Sequence, residues 1–391
     1  MLSNSLPAFE ADILERMVAW RHDFHENPET GFEEHRTGGI VAETLERLGY
    51  EVHRGLGRTG VVGVLRNGEG PSIGLRADMD ALDMDELGDV PWKSKVPGKM
   101  HGCGHDGHTA ILLGTAEYLA RHRPFSGTVH LIFQPAEENL GGAREMVADG
   151  LFEQFPMDSV YGLHNMPNLA TGRIGMCYGA AAAAYDNFEI TITGKGGHGA
   201  VPELTIDPVL IQAQLVNALQ GIVSRNLGGL DAGVVSVTRV HGGNTWNVVP
   251  EQVVLGGTAR SFDPAVRDRI ETRMNALCAG LAAAHGAQIT LDYARGYPTL
   301  INAEAQTDRA REAATRQLGA DHVEVIERPM MGSEDFAYML EKCPGAYVLV
   351  GSGRSASDPM PHNPYYDFND EILPIAAGFF AGLVAQELPR R

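Results

Sequence analysis

What most constrains the fold of this chain is a change of grammar partway along it. From Phe188 to Tyr293 the apolar pattern reads strand (Phe188 to Thr193), helix (Asp207 to Arg225), strand (Gly233 to Val240), strand (Gln252 to Arg260), helix (Ala265 to His285) and strand (Gln288 to Asp292). That order is the split β-α-β-β-α-β unit of ferredoxin-like domains. On either side the pattern differs. Strands near Val61 to Leu65, Ser72 to Ala77, Thr128 to Gln134 and Val160 to His164 stand among helical patterns at Glu33 to Leu48, Thr109 to Arg121, Gly142 to Asp149 and Ala303 to Leu318. Such alternation predicts an α/β domain, a sheet covered by helices. The bland stretch Gly179 to Ala184 precedes the change, so the middle segment reads as an insert at 183–296, with the host domain split into 1–182 and 297–391.

Composition narrows the partners. At 391 residues and 43% apolar the chain can build two cores. Its 31 basic and 50 acidic residues leave a net charge of −19, which repels phosphate backbones and anionic lipid. Nucleic-acid and membrane partners are therefore not expected. Met1 to Trp20 intersperses Glu10, Asp12, Glu15 and Arg16 among apolar residues, an amphipathic helix rather than a signal peptide. The apolar run Ile372 to Ala385 falls short of the roughly 18 to 20 residues that span a bilayer. Four cysteines without a C-x-x-C pair suit a reducing compartment, and a cytoplasmic location is the expectation. Cys177, Cys278 and Cys343 read as small core residues.

Several familiar motifs fail on context. Gly55 to Gly60 matches G-x-G-x-x-G, but a strand pattern follows it, so no helix N-terminus is offered to a pyrophosphate. Gly194 to Gly199 matches too, yet Pro202 and further residues intervene before the next helix. The chain has no G-x-x-x-x-G-K-[ST], G-x-S-x-G or H-E-x-x-H, which removes the usual support for nucleotide hydrolysis, serine-hydrolase and zincin chemistry.

One cluster does carry chemistry. Met100-His101-Gly102-Cys103-Gly104-His105-Asp106-Gly107-His108 places a thiol and several imidazoles in a glycine-rich bend that opens a helix. Thiolate and imidazole two residues apart are a natural start to a transition-metal site, since glycine lets the backbone bring them together, although a turn with solvated histidines is the plain alternative. Glu137-Glu138 follows the strand ending at Gln134, where α/β sheets place their sites. Adjacent carboxylates diverge, so one can ligate while its neighbour acts as a base, although such a pair also begins many solvated helices. His164, at the end of Val160-Tyr161-Gly162-Leu163, reads as a ligand or a capped core residue, and His362 lies between Pro361 and Pro364.

With these residues assembled, the chain resembles the dinuclear metallopeptidase family of aminoacylases and glutamate carboxypeptidases, and most closely its hippurate hydrolase and indole-acetyl-amino-acid hydrolase branch. The resemblance spans nearly the whole chain and rests on Leu75 to Leu82, Cys103/His105, Gln134 to Glu138, Gly162 to Pro167, Gly194 to His198, Asn247 to Pro250, Gly332 to Phe336 and Pro361-His362. It implies a phosphorylase/hydrolase-like mixed sheet carrying a lid and dimerisation insert. It further implies two divalent ions per subunit, zinc or manganese with nickel or cobalt possible, bridged by Cys103. His105 and His164 would complete one coordination sphere, Glu138 and His362 the other, and Glu137 would be the general base. Where most relatives have H-x-D this chain has Arg76-Ala77-Asp78, so His105 stands in for a ligand and Asp78 becomes a supporting carboxylate or an organiser of the strand end. His198 would reach a neighbouring subunit's ions as an oxyanion donor, with Asn247 and Arg260 holding a substrate carboxylate. Arg260 also reads as a plain surface strand residue, and Glu334-Asp335 as a pair ordering a loop near the substrate or, more simply, as a helix N-cap. The lid motif departs from the family's H-A-A-x-P-H, since Glu203 follows Pro202 in place of the second histidine.

The expected partner is a small N-acyl amino acid, and the expected assembly a homodimer or homotetramer through the insert. A dipeptidase or carboxypeptidase on the same ions is the near alternative, and a non-catalytic binding homologue the distant one.

Overall fold

A computed structural model describes residues 9–138 and 140–390. The chain opens with helices α1 (Ala11–Glu26) and α2 (His35–Arg47) and strands β1 (Glu51–Leu56), β2 (Gly60–Asn67) and β3 (Ser72–Asp78). Helix α3 (His105–His122), strand β4 (Gly127–Gln134), helices α4 (Gly142–Ala148) and α5 (Leu151–Gln154), and strands β5 (Ser159–Ala170), β6 (Ile174–Met176) and β7 (Gly179–Ala182) follow. Next come β8 (Ala184–Thr193), β9 (Gly197–His198), α6 (Pro208–Gly221), β10 (Gly233–His241), β11 (Val248–Val249), β12 (Gln252–Ser261), α7 (Pro264–His285) and β13 (Gln288–Arg295). The last elements are β14 (Leu300–Asn302), α8 (Glu304–Leu318), β15 (Val323–Val325), α9 (Ala337–Leu340), β16 (Gly345–Gly353) and α10 (Leu373–Glu387).

Two compact units result. One reaches to Ala181 and takes in Ile301–Pro329 and the residues from Asp335 onward; the other holds Ala182–Leu300 with Met330–Glu334.

The first unit is built on an eight-stranded sheet in the order β1-β2-β4-β3-β5-β16-β6-β15. Its centre is parallel, β4 with β3, β3 with β5 and β5 with β16, while β1, β2 and β6 add antiparallel pairings. Strand β4 is buried at almost every position, which is why it reads as a continuous apolar run rather than an alternating one. Ile13, Met17 and Phe24 of α1, Ile111 and Leu112 of α3, and Phe379, Phe380 and Leu383 of α10 share one core with Leu75, Leu131, Tyr161 and Val348.

The apolar run near the C-terminus is thus the buried helix α10, and no helix among the described residues is long and apolar enough to cross a membrane. Of the segment Met1 to Trp20, residues 1–8 lie outside the described residues, and the helix begins at Ala11. One strand runs longer than its sequence pattern: β5 does not stop at His164 but continues to Ala170. The pairing explains how it tolerates Pro167. Strand β3 accompanies β5 only as far as Gly162, so a residue without an N–H deprives no partner on that side.

In the second unit β8, α6, β10, β12, α7 and β13 follow one another, and the sheet order is β10-β12-β8-β13, all antiparallel. Here β8 alternates buried and more exposed positions, as a sheet covered on one face requires. Phe188, Ile190 and Ile192 meet Leu255 of β12, Ile211, Leu215 and Leu219 of α6, and Ile270 and Met274 of α7. Both helices start on an aspartate followed by proline. Asp207 accepts the Val209 N–H at 2.8 Å and Asp263 the Ala265 N–H at 2.7 Å. The first unit is therefore a mixed α/β domain, a sheet covered by helices, and the second a smaller, sheet-rich insert.

Candidate metal centre

The centre is assembled at the C-terminal ends of β3 and β4, at the N-terminus of α3, within β5, and in the loop before α10. Helix α3 begins at His105, four residues ahead of the periodic run that signals it, because Gly104 adopts a left-handed φ of 96° and turns the chain sharply. A Cβ there would also lie 2.3 Å from Asn165 Oδ1, so only glycine permits the bend that presents Cys103 and His105 together.

Ligand-capable atoms of Cys103, His105 and His164 lie within 4.8 Å of one another, and so do those of Cys103, Glu138 and His362. The two groups share the Cys103 thiol. His105, Glu137 and Glu138 form a further such group, as do Asp78, His105 and His108.

Hydrogen bonds orient both buried-side imidazoles the same way. His105 donates Nδ1–H to the Asp80 carbonyl at 2.8 Å, and His164 donates Nδ1–H to the Asn165 carbonyl at 2.7 Å. Each ring is thereby left with Nε2 as its lone-pair nitrogen. His164 Nε2 lies 3.3 Å from Cys103 Sγ, and the buried His105 Nε2 has no hydrogen-bond partner. A buried polar atom left unpaired in this way calls for an ion or a water, and imidazoles anchored through the opposite nitrogen are the usual form of metal-bound histidine. His362 Nε2 lies 3.0 Å from Glu138 Oε1. Its backbone has a φ of 69°, with its N–H donating to the Gly102 carbonyl at 2.8 Å, a strained conformation held in place next to the cysteine loop.

Charge follows the same geometry. Burial pushes the Cys103 thiol up, and Glu138 adds to the effect. Burial also lowers His164 to about 3, with the neighbouring His108 adding to the effect. Hydrogen bonds to Cys103 and Glu138 lift His362 to about 10. Burial opposes a charge on His105, but the Asp78 carboxylate, and after it the neighbouring Cys103, hold it well above the ordinary histidine value. Protons thus sit where cations would otherwise sit, and thiolate, imidazole and carboxylate donors together suit soft-to-borderline divalent ions.

Asp78 lies outside the cysteine groups. One oxygen meets His108 Nδ1 at 2.6 Å, the other accepts from Arg76 Nη1 at 2.7 Å and stands 3.7 Å from His105 Nε2. Asp335 is not the N-cap its sequence position suggests. It is fully buried, accepts from Gln134 Nε2 at 2.7 Å and Arg76 Nη2 at 3.2 Å, and takes the Ala143 N–H in the first turn of α4 at 2.8 Å. A cation buried nearby recruits this carboxylate more strongly than the short helix α9 can. Glu334 falls in the second unit.

Three other candidate residues also belong to the second unit. His198 in β9 is exposed and pairs with Val248 of β11, while the adjoining Gly199 N–H donates to the Asn247 carbonyl at 2.7 Å. Arg260 on β12 is half-buried, donates to Thr258 Oγ1 and the Ala259 carbonyl, and lies 5.3 Å above the Tyr185 ring. The carboxylates Asp80 and Glu34 were not singled out by sequence, and Asp335 was read there as a helix N-cap. The alternation Asp78-Met79-Asp80 at the end of a buried strand is the one signal that could have found Asp80.

A mixed α/β domain with two overlapping groups of thiol, imidazole and carboxylate donors defines a metal-dependent hydrolase. The chain belongs to the peptidase family M20/M25/M40, whose model matches residues 74–386. It is 42% identical over 369 residues to a hippurate hydrolase of Campylobacter jejuni, covering 94% of this chain and 95% of that one. It is 39% identical over 384 residues to the IAA-amino acid hydrolase ILR1-like 4 of Arabidopsis thaliana, covering 96% and 87%. Among solved structures, a dinuclear metal binding peptidase of the M20 family from Bacillus subtilis superposes with a TM-score of 0.85 at 35% identity, covering 97% of this chain and 99% of that one.

Proposed function

We propose that the protein hydrolyses the amide bond of an N-acyl amino acid, with an acetyl, benzoyl or arylacetyl acyl group, to a carboxylic acid and a free amino acid. The observation that carries this reading is the pair of donor groups sharing Cys103 and lying beside Glu137. Relatives that act on hippurate and on IAA-amino acids, matched over nearly their whole length, support the substrate class.

Cys103 would bridge two ions, with His105 and His164 on one and Glu138 and His362 on the other. When bound, such a pair lowers the pKa of a water and polarises the acyl carbonyl. Glu137, nearly buried, takes the water proton as the oxygen attacks the carbonyl carbon. It then returns that proton to the amide nitrogen as the C–N bond breaks, so a neutral amine leaves and no covalent enzyme intermediate forms. His198 is assigned to the oxyanion, and Asn247 and Arg260 to the substrate carboxylate, for which a guanidinium fork is well shaped. The insert acts as a ferredoxin-like lid and dimerisation domain. Zinc or manganese suits the donors, and the four unpaired cysteines suit a cytoplasmic location.

The test is Glu137→Gln assayed on N-acetyl, N-benzoyl and arylacetyl amino acids beside free dipeptides. The variant should keep its ions and fold while kcat falls at least ~100-fold. Unchanged turnover would remove Glu137 as the base, and preference for free dipeptides would turn the reading to a dipeptidase.

A further inference from the structure

Two turns frame the loop that carries Glu137 and Glu138, and both hold a large residue in left-handed backbone. In the first, Thr30 pairs with Ala81, next to the Asp80 carbonyl that orients His105. A Cβ on Gly31 would lie 2.9 Å from Leu140 Cδ1 and 3.1 Å from Ala136 Cβ, so this turn packs against the residues that bracket the two glutamates. Phe32 comes next, half-buried, with a φ of 65°. In the second turn Arg58 has a φ of 74°. Its neighbours anchor it: the Gly57 N–H donates to Asp149 Oδ2 at 2.8 Å, and the Thr59 hydroxyl to Glu34 Oε2 at 2.6 Å. Glu34 ties both turns to the loop itself, since its Oε1 accepts the Ala136 N–H at 2.8 Å. Left-handed backbone is rare for residues of this size, and strain of this kind persists only where the surroundings enforce it.

The two strained residues meet. The Arg58 guanidinium carbon lies 4.1 Å from the centre of the Phe32 ring. The Arg58 side chain is exposed, and among the described residues it makes neither an ion pair nor a hydrogen bond. Other arginines of this part of the chain do find acids: Arg36 pairs with Asp23, Arg54 with Glu46 and Arg66 with Glu51. Stacking fixes the plane of the guanidinium and leaves its N–H edge free, and a planar fork held still in advance is the group best matched to a carboxylate. Arg76, by contrast, is buried among its own partners, and Arg260 gives its donors to Thr258 and Ala259.

We propose that Arg58, held flat by Phe32, binds a carboxylate of the substrate at the rim of the centre, an inference that rests on the N-acyl amino acid reading above. Every such substrate carries an α-carboxylate, and one built on glutamate or aspartate carries a second in its side chain; to a guanidinium they are the same ligand. In a chain of net charge −19, an unpaired cation beside the loop of the base favours the approach of an anion. Phe32 is a positioning residue that acts only through Arg58.

The experiment compares wild type, Arg58→Gln, Arg58→Lys and Phe32→Leu, each loaded with Zn²⁺. The substrates are N-acetyl-L-glutamate, N-acetyl-L-glutamine and the α-amide of N-acetyl-L-glutamine, which carry two, one and no carboxylates. KM and kcat are measured for each, and binding of each is followed by calorimetry. In Arg58→Gln the preference for one carboxylate over its amide should shrink about 10- to 100-fold, through KM rather than kcat, as loss of a charge-assisted hydrogen bond implies. A smaller glutamate-to-glutamine ratio assigns Arg58 to a side-chain carboxylate and the substrate to N-acylated acidic amino acids; a smaller glutamine-to-amide ratio assigns it to the α-carboxylate. Arg58→Lys keeps the charge without the fork and should fall between. Phe32→Leu should move the same ratio in the same direction with kcat retained, which a general loosening of the loop of the base would not do.

Both ratios unchanged in Arg58→Gln would overturn the proposal, and so would a wild type that does not distinguish carboxylate from amide. Arg58 is exposed, so its variants keep the question open to test if Phe32→Leu does not fold. Failure of the hydrolase reading shows up separately, as a wild type that turns over none of the three; the calorimetric ratios then decide the role of Arg58.

Discussion

Arg76 has no solvent exposure, and its guanidinium is balanced by Asp78 and Asp335 and capped by Gln134 Oε1 at 2.8 Å. A buried cation is costly unless its partners meet it closely, and here they do. Burial works against the charge of Asp78, yet His105, Arg76 and His108 hold its carboxyl well below the usual range. Arg76 and His108 thus each occupy one oxygen of the Asp78 carboxylate. Glu34 is the contrasting case. Burial, and after it the Asp80 charge, push its carboxyl up to about 7 from an ordinary 4.5. With the folded value above the unfolded one, the contribution of Glu34 to stability is complete below about pH 4.5 and is lost as pH rises through 7. Glu34→Gln, which still offers an oxygen to the Ala136 N–H, removes that loss. Denaturant melts should show the variant gaining on wild type by up to about 3 kcal/mol between pH 5 and pH 8. Parallel stability profiles across that range would mean that Glu34 does not titrate there.

Helix α3 carries the centre at its first residue and the core along its length, so its packing bears directly on the ions. Gly107 faces Phe368 so closely that an added Cβ would lie 2.2 Å from the ring. Gly107→Ala must displace the ring or the helix, and a loss of roughly 1–3 kcal/mol is expected. Weaker metal binding should accompany it, since His105 lies two residues away; a melting temperature and Mn²⁺ affinity equal to wild type would show that the ring yields freely. Elements of this kind were legible from sequence because periodicity and glycine punctuation agree in them. Helix α7 (Pro264–His285) begins one residue before the expected Ala265 and ends at the expected His285, and β10 and β12 fall within a residue of their expected bounds, while β8 begins four residues early, at Ala184. Strand β16 was not anticipated, since Gly345 to Gly353 is a short apolar run between glycines that marks a buried helix segment equally well. In the centre, the dense motif from His101 to His108 and the pair Glu137-Glu138 stood out by residue type. Asp80 and Glu34 did not, and Asp335 was given the wrong role, because nothing in the one-dimensional pattern separates a buried acceptor of backbone N–H groups from a solvated or capping acid. Their importance arises only when β3, β4 and the loops beyond them are brought together.

At the scale of the whole molecule, the two units differ in what holds them together. Cys103, His105, Glu138, His164 and His362 all lie in the first, whereas the second relies on the apolar core shared by its sheet and the helices α6 and α7. Ions that bind only the folded first unit stabilise it by mass action, roughly 2.7 kcal/mol when free ion exceeds the dissociation constant a hundredfold. Their removal should therefore be felt unequally. In differential scanning calorimetry with Zn²⁺ present the protein is expected to unfold in at least two transitions, as multidomain chains commonly do. Adding a chelator should move the transition of the first unit down by several degrees, since 1 kcal/mol corresponds to about 2–4 °C for a domain of 150–250 residues. The transition of the insert should stay in place, and amide hydrogen exchange can assign the two by showing which segments lose protection first, α3 and β5 or α6 and α7. An equal downward shift of both would mean that the insert draws its stability from the ions as well, and that the chain melts as one cooperative body in spite of its two cores.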